Sequence, residues 1–102
     1  MKVYNKLVRD KIPEIIEAKG EIAKTRILDN DEYRAELNKK LQEEVAEYLE
    51  DNNVEELADI VEVIYGILDS MEVSREKFEG VRTAKAEKRG AFKKKIFLEE
   101  TE

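Results

Sequence analysis

Histidine and cysteine are both absent from the 102 residues. Without them a structural zinc site, a cysteine nucleophile and a histidine general base are ruled out. Disulfides are excluded as well, and nothing in the cysteine usage points to secretion. Proline occurs once and glycine four times, too sparingly for a turn-rich sandwich or barrel and favourable to helices. No apolar run approaches the roughly 20 residues that span a membrane, and no signal peptide opens the chain. A cytoplasmic location is therefore the expectation. What remains for chemistry is carboxylates, Lys, Arg, Tyr, hydroxyls and a hard metal ion.

Charged residues make up 43% of the chain and hydrophobic ones 41%. The net charge of −6 is segregated. Residues 29–79 hold 17 acidic and 5 basic side chains, whereas residues 1–28 and 80–102 each hold 7 basic and 4 acidic. An acidic middle between basic ends lacks the broad basic face that general nucleic-acid binding needs. On charge alone it reads as a solvated helical surface with uneven ends. A single domain of this length buries roughly two thirds of its unfolded surface, a thin core that suits an oligomer sharing apolar faces.

The punctuation predicts an all-α bundle built on an antiparallel helix hairpin, with short extended N- and C-terminal segments. "MKVYNKLVRDKIPEII" starts irregular and turns helical near Pro13, where proline suits a first turn. The chain breaks at Gly20 and passes through a connector, briefly extended at Ile27 and Leu28. Asp29, Asn30 and Asp31 offer a capped start for a helix running to about Asp51. "DNN" makes a tight connection to a second long helix from about Val54 to Met71. Ser74 then caps a third that ends near Gly90. In the tail, Ile96 to Leu98 are expected to form a short strand or to dock on the bundle.

One stretch is at odds with its own helix. In "LQEEVAEYLE" (residues 41–50) a glutamate falls where the apolar stripe should continue. With Leu37 at zero and about 100° per residue, Tyr33, Leu37, Leu41, Val45, Tyr48 and Leu49 span an arc from about −40° to +120°. Glu44 lies inside it at about −20°, and Glu47 just past its edge at about −80°. On the next helix, counted from Leu57, Glu56 lies within the apolar arc and Asp59 just outside. In a hairpin folded about "DNN", residue numbers with a common sum stand at equal height. Glu44 then faces Asp59, and Glu47 faces Glu56. Both pairs occupy the same edge of facing stripes, so four carboxylates converge. Like charges in a partly dry site raise one another's pKa values, a cost that a hard divalent cation removes. The bland alternative is a set of surface acids paired with Lys or Arg.

The same residues carry a resemblance. "EEVAE" (Glu43, Glu44, Glu47) followed by "ELAD" (Glu56, Asp59) resembles the EExxE…ExxD signature of the all-α nucleoside triphosphate pyrophosphohydrolases. That superfamily groups MazG-like house-cleaning enzymes with dimeric dUTPases and phosphoribosyl-ATP pyrophosphohydrolase. "YNKLVRDKIPEII" and "KAEKRGAFKKKIFLEE" are similar to the ends of a small single-domain branch of it. The resemblance implies hydrolysis of an NTP or dNTP to the monophosphate and pyrophosphate, dependent on Mg²⁺, with Mn²⁺ as a substitute. It makes Glu44, Glu47, Glu56 and Asp59 the metal ligands and Glu43 an accessory acid, with Glu44 or Glu47 doubling as the water-activating base. The 8 residues between Glu47 and Glu56 are fewer than in many superfamily members.

The outer phosphates need cations. Phe78, Arg82, Lys85 and Arg89 fall within about 60° of one another on the last helix. Lys85 and Arg89 are the preferred triphosphate contacts, since a guanidinium binds phosphate oxygens bidentately. Lys6 and Arg9, in a crowded basic stretch at the N-terminus, border the site by resemblance, and Phe92 is the candidate for stacking on a base. A helix as apolar as "ELADIVEVIYGIL" is expected to be shared in a homodimer or homotetramer. Two competing readings are phosphoribosyl-ATP pyrophosphohydrolase and a non-catalytic helical interaction module whose acids keep it soluble.

Overall fold

A computed structural model describes residues 2–102. The described residues form four helices and no strand: α1 (Ile12–Ala18), α2 (Asn30–Asp51), α3 (Val54–Ser70) and α4 (Arg75–Arg89). Each long helix begins where its sequence places a side-chain acceptor. Asp29, Asn53 and Ser74 accept from the backbone N–H groups of Glu32, Glu56 and Lys77, at 2.9, 2.9 and 3.1 Å. Such caps satisfy donors that the first turn leaves free. The hairpin turn costs only two residues. Asn52 closes α2 in the left-handed region at φ 51°, which Asn tolerates better than most residues, and Asn53 already caps α3.

α2 and α3 form the hairpin that carries most of the tertiary packing. Leu37 and Val63 are buried there, and Leu68 further along α3. Gly66 permits the close approach: a Cβ at this position would stand 2.9 Å from Leu37 Cδ2 and 3.4 Å from the Tyr33 hydroxyl. At the far end Arg34 Nε donates to Ser70 Oγ at 2.5 Å, and Ser70 in turn donates to the Ile67 carbonyl at 2.7 Å. Arg75 stacks on Tyr65, 3.8 Å from the ring centroid.

The packing departs from the expected stripe-on-stripe arrangement in one respect. The helices meet along their acidic edges, so that Glu44 is buried while Val45 and Leu49, at the opposite edge of the same stripe, stay exposed. The same is true of Val54, Leu57 and Val61 on α3. The physical reason is area: among the described residues no third helix is placed to cover the far edges, because α4 meets only α3. The tail differs too. Ile96, Phe97 and Leu98 lie exposed and outside any strand, since no sheet edge exists among the described residues to receive them. Among the described residues no helix is long and apolar enough to cross a membrane.

Candidate metal centre

The hairpin turn sets the register of the acids. Because Asn53 pins the Glu56 backbone, Glu56 and Asp59 on the first turns of α3 come level with the last turns of α2. Glu44, Glu56 and Asp59 each offer one carboxylate oxygen such that all three lie within 4.8 Å of one another. Glu44 is only 7% exposed, with Glu56 and Asp59 half-buried. Two of the oxygens, Glu44 Oε2 and Glu56 Oε2, are buried without any hydrogen-bond partner.

Burial is the first cause that pushes the Glu44 carboxyl above its ordinary range, followed by the neighbouring Glu47 and the Asp59 charge; Lys40 pulls the other way. Glu56 is raised for the same reasons: desolvation first, then the charges of Glu47, Asp59 and Asp51. Glu47 is exposed at the rim, outside the group of three, yet close enough to act on both buried acids.

Cations reach the cluster from two directions. Arg9 Nη2 donates to Asp59 Oδ1 at 2.6 Å, and Lys6 Nζ stands 3.7 Å from Glu43 Oε1. The N-terminal segment thus lies along the acid edge of the hairpin. Lys40 Nζ stands 3.7 Å from Glu44 Oε1, one helical turn away. Lys40 escaped the sequence reading, although its i,i+4 spacing to Glu44 was the available signal. Five carboxylates (Glu43, Glu44, Glu47, Glu56, Asp59) therefore meet three cations.

The C-terminal cations behave differently. α4 touches α3 near their connection and makes no contact with α2. Lys85 and Arg89 form no ion pair with the cluster among the described residues, and Phe92 is 97% exposed. Arg89 and Phe92 instead line a concavity of about 510 Å³ formed with the following lysines, Lys93 to Lys95. One chain brings the acids together with Lys6 and Arg9, and leaves Lys85, Arg89 and Phe92 outside that group.

The donor set fits a hard cation. Oxygen ligands alone, with two buried oxygens lacking donors, suit Mg²⁺ or Mn²⁺ and give no purchase to a soft metal. Comparison with known proteins adds sequence similarity to one uncharacterised protein. An uncharacterised protein of Mycolicibacterium smegmatis (strain ATCC 700084 / mc(2)155) is 58% identical over 41 residues, 40% of this chain and 42% of its own length. The chain thus spans less than half of that relative, which brings no function with it. No family model and no solved structure matches the chain.

Proposed function

We propose that the acids between α2 and α3 hold a divalent cation, Mg²⁺ with Mn²⁺ able to replace it, and that the protein hydrolyses a nucleoside triphosphate (NTP or dNTP) to the monophosphate and pyrophosphate. House-cleaning of non-canonical nucleotides is the role this would serve. One observation carries the metal reading: two buried carboxylate oxygens, on Glu44 and Glu56, that have no hydrogen-bond partner among the described residues. A buried polar atom without a partner costs about 1–3 kcal/mol, more when charged, and a cation removes that cost. The EExxE…ExxD resemblance supplies the substrate class.

In this reading Glu44, Glu56 and Asp59 are the inner ligands. Glu47, exposed beside them, completes the set and is placed to accept the proton of the attacking water. Glu43, held by Lys6, orients that water or the ligand. Arg9 neutralises Asp59 and has a solvent-facing guanidinium available to phosphate oxygens. When bound, the cation supplies charge neutralisation at the phosphates and lowers the pKa of water.

The test is an assay with Mg²⁺ and a panel of standard and damaged nucleotides, scoring pyrophosphate against orthophosphate. Pyrophosphate release is expected, falling about a hundredfold or more in Glu44→Ala and Asp59→Ala, with helical circular dichroism retained. Full activity in either variant would remove the assigned ligands. Mg²⁺ alone should raise the melting temperature, as a ligand selective for the folded state does; an interaction module would show no such response.

A further inference from the structure

The N-terminal segment, residues 2–11, holds no helix or strand, yet it lies along the acidic edge of the hairpin. Backbone pairing does not keep it there: residues 2–8 make no backbone hydrogen bond among the described residues. Nor does the helix that follows, since α1 packs against neither long helix. Leu7 is half-buried, but its neighbours Lys6 and Val8 are exposed. What fastens the segment is charge. Lys6 Nζ stands 3.7 Å from Glu43 Oε1 on α2, and Arg9 Nη2 donates to Asp59 Oδ1 on α3 at 2.6 Å. The two pairs tie the segment to both arms of the hairpin, beside the group formed by Glu44, Glu56 and Asp59.

We propose that Arg9 competes with the divalent cation for Asp59, so that loading the metal unlatches the N-terminal segment. This inference rests on the metal reading above. Asp59 is claimed twice. It offers an oxygen to the group of three, and it accepts a bond from Arg9 of the strong, charge-assisted kind. A dication and a guanidinium that share one carboxylate repel each other. Even in a water-like dielectric the guanidinium weakens cation binding by about tenfold. Exposure decides which side yields. The Arg9 and Asp59 side chains are 55% and 39% exposed, so water readily takes over the guanidinium. Lys40 stays, because it sits one turn from Glu44 on the same helix with its side chain only 19% exposed. Once released, the Arg9 fork is free for phosphate oxygens, which it binds bidentately. Cation loading and nucleotide binding are thereby coupled through one side chain.

Mn²⁺ binding to the full chain, followed by electron paramagnetic resonance, tests the competition. Arg9→Gln is expected to bind Mn²⁺ about tenfold more tightly than wild type. Arg9→Lys keeps the charge and should stay near wild type. Lys88→Gln, which removes a cation from α4, should change nothing. Trypsin reads the latch separately. Saturating Mg²⁺ should speed cleavage after Lys6 and Arg9 several-fold in wild type, whereas Arg9→Gln is cut after Lys6 at the faster rate with or without Mg²⁺. Equal or weaker Mn²⁺ binding by Arg9→Gln overturns the proposal and leaves the metal reading standing, because Arg9 would then merely orient Asp59. An equal gain in Lys88→Gln overturns it too, as an effect of net charge alone. So does wild-type cleavage that ignores Mg²⁺, since nothing is then released. An absence of Mn²⁺ binding in every variant removes the metal reading itself, and this inference with it.

Discussion

Glu44 carries a carboxylate oxygen without a donor in the middle of the α2–α3 contact, where a leucine would have packed. Its pKa, like that of Glu56, is raised mainly by burial. A group raised in the folded state contributes stability that is present below its unfolded pKa and lost as pH rises through the folded value. In the absence of divalent cation, the protein should therefore lose stability from the ordinary carboxylate range upward towards neutrality. Glu44→Gln removes this charge, so with a chelator it should melt above wild type at neutral pH. The two melting curves should converge in acid, where Glu44 is protonated. Mg²⁺ should invert the neutral-pH order, since it binds the wild type alone. Thermal melts across pH, with and without Mg²⁺, check both signs, and parallel curves would show that the buried charge carries no weight. At this scale the sequence was informative about the inward glutamate, because an acid inside an apolar arc breaks a periodic pattern. It did not show which of the four acids would be most deeply enclosed. Glu47, two residues from Val45 and Leu49, shares their exposure.

At the scale of elements, the helix boundaries follow local chemistry closely. Asp29 and Ser74 cap their helices in the structure as their positions predict, while within the expected tight connection Asn52 makes a left-handed turn and Asn53 caps α3. The rotation of α2 against α3 was not legible, because both helices are apolar around much of their circumference and a wheel gives no preference within a wide arc. Gly66 helps decide it. A Cβ there would meet Leu37 Cδ2 at 2.9 Å, so any larger residue requires the buried Leu37 side chain to move. Gly66→Ala is expected to destabilise the protein: overpacking costs about 1–3 kcal/mol, offset by about 1 kcal/mol of better helix propensity. Urea denaturation should register a net loss on the order of 1 kcal/mol or a little more, together with weaker Mg²⁺ stabilisation as the acids move apart. A gain in stability would mean that Leu37 yields and that the glycine sets no spacing.

The whole molecule is long for its mass. Its radius of gyration is 18.1 Å, against about 13 Å for a compact chain of this length, and α4 stands clear of the hairpin after its first turns. The cations of α4 therefore serve the triphosphate only if something brings them to the acids. If α4 does reach the proposed site, Lys85→Ala and Arg89→Ala should raise KM several-fold with kcat little changed. Steady-state kinetics decide this, and unchanged KM in both variants would detach α4 from the site.

By itself the sequence determined the helical class, the caps at Asp29 and Ser74 and the tight connection at "DNN", because each depends on residues adjacent in the chain or one helical turn apart. Only the tertiary structure decided which edges of the helices meet, that Arg9 pairs with Asp59, and that part of the apolar face of α3 is left bare. Those outcomes depend on competition among several apolar faces for too few partners, and no local pattern encodes the result of that competition.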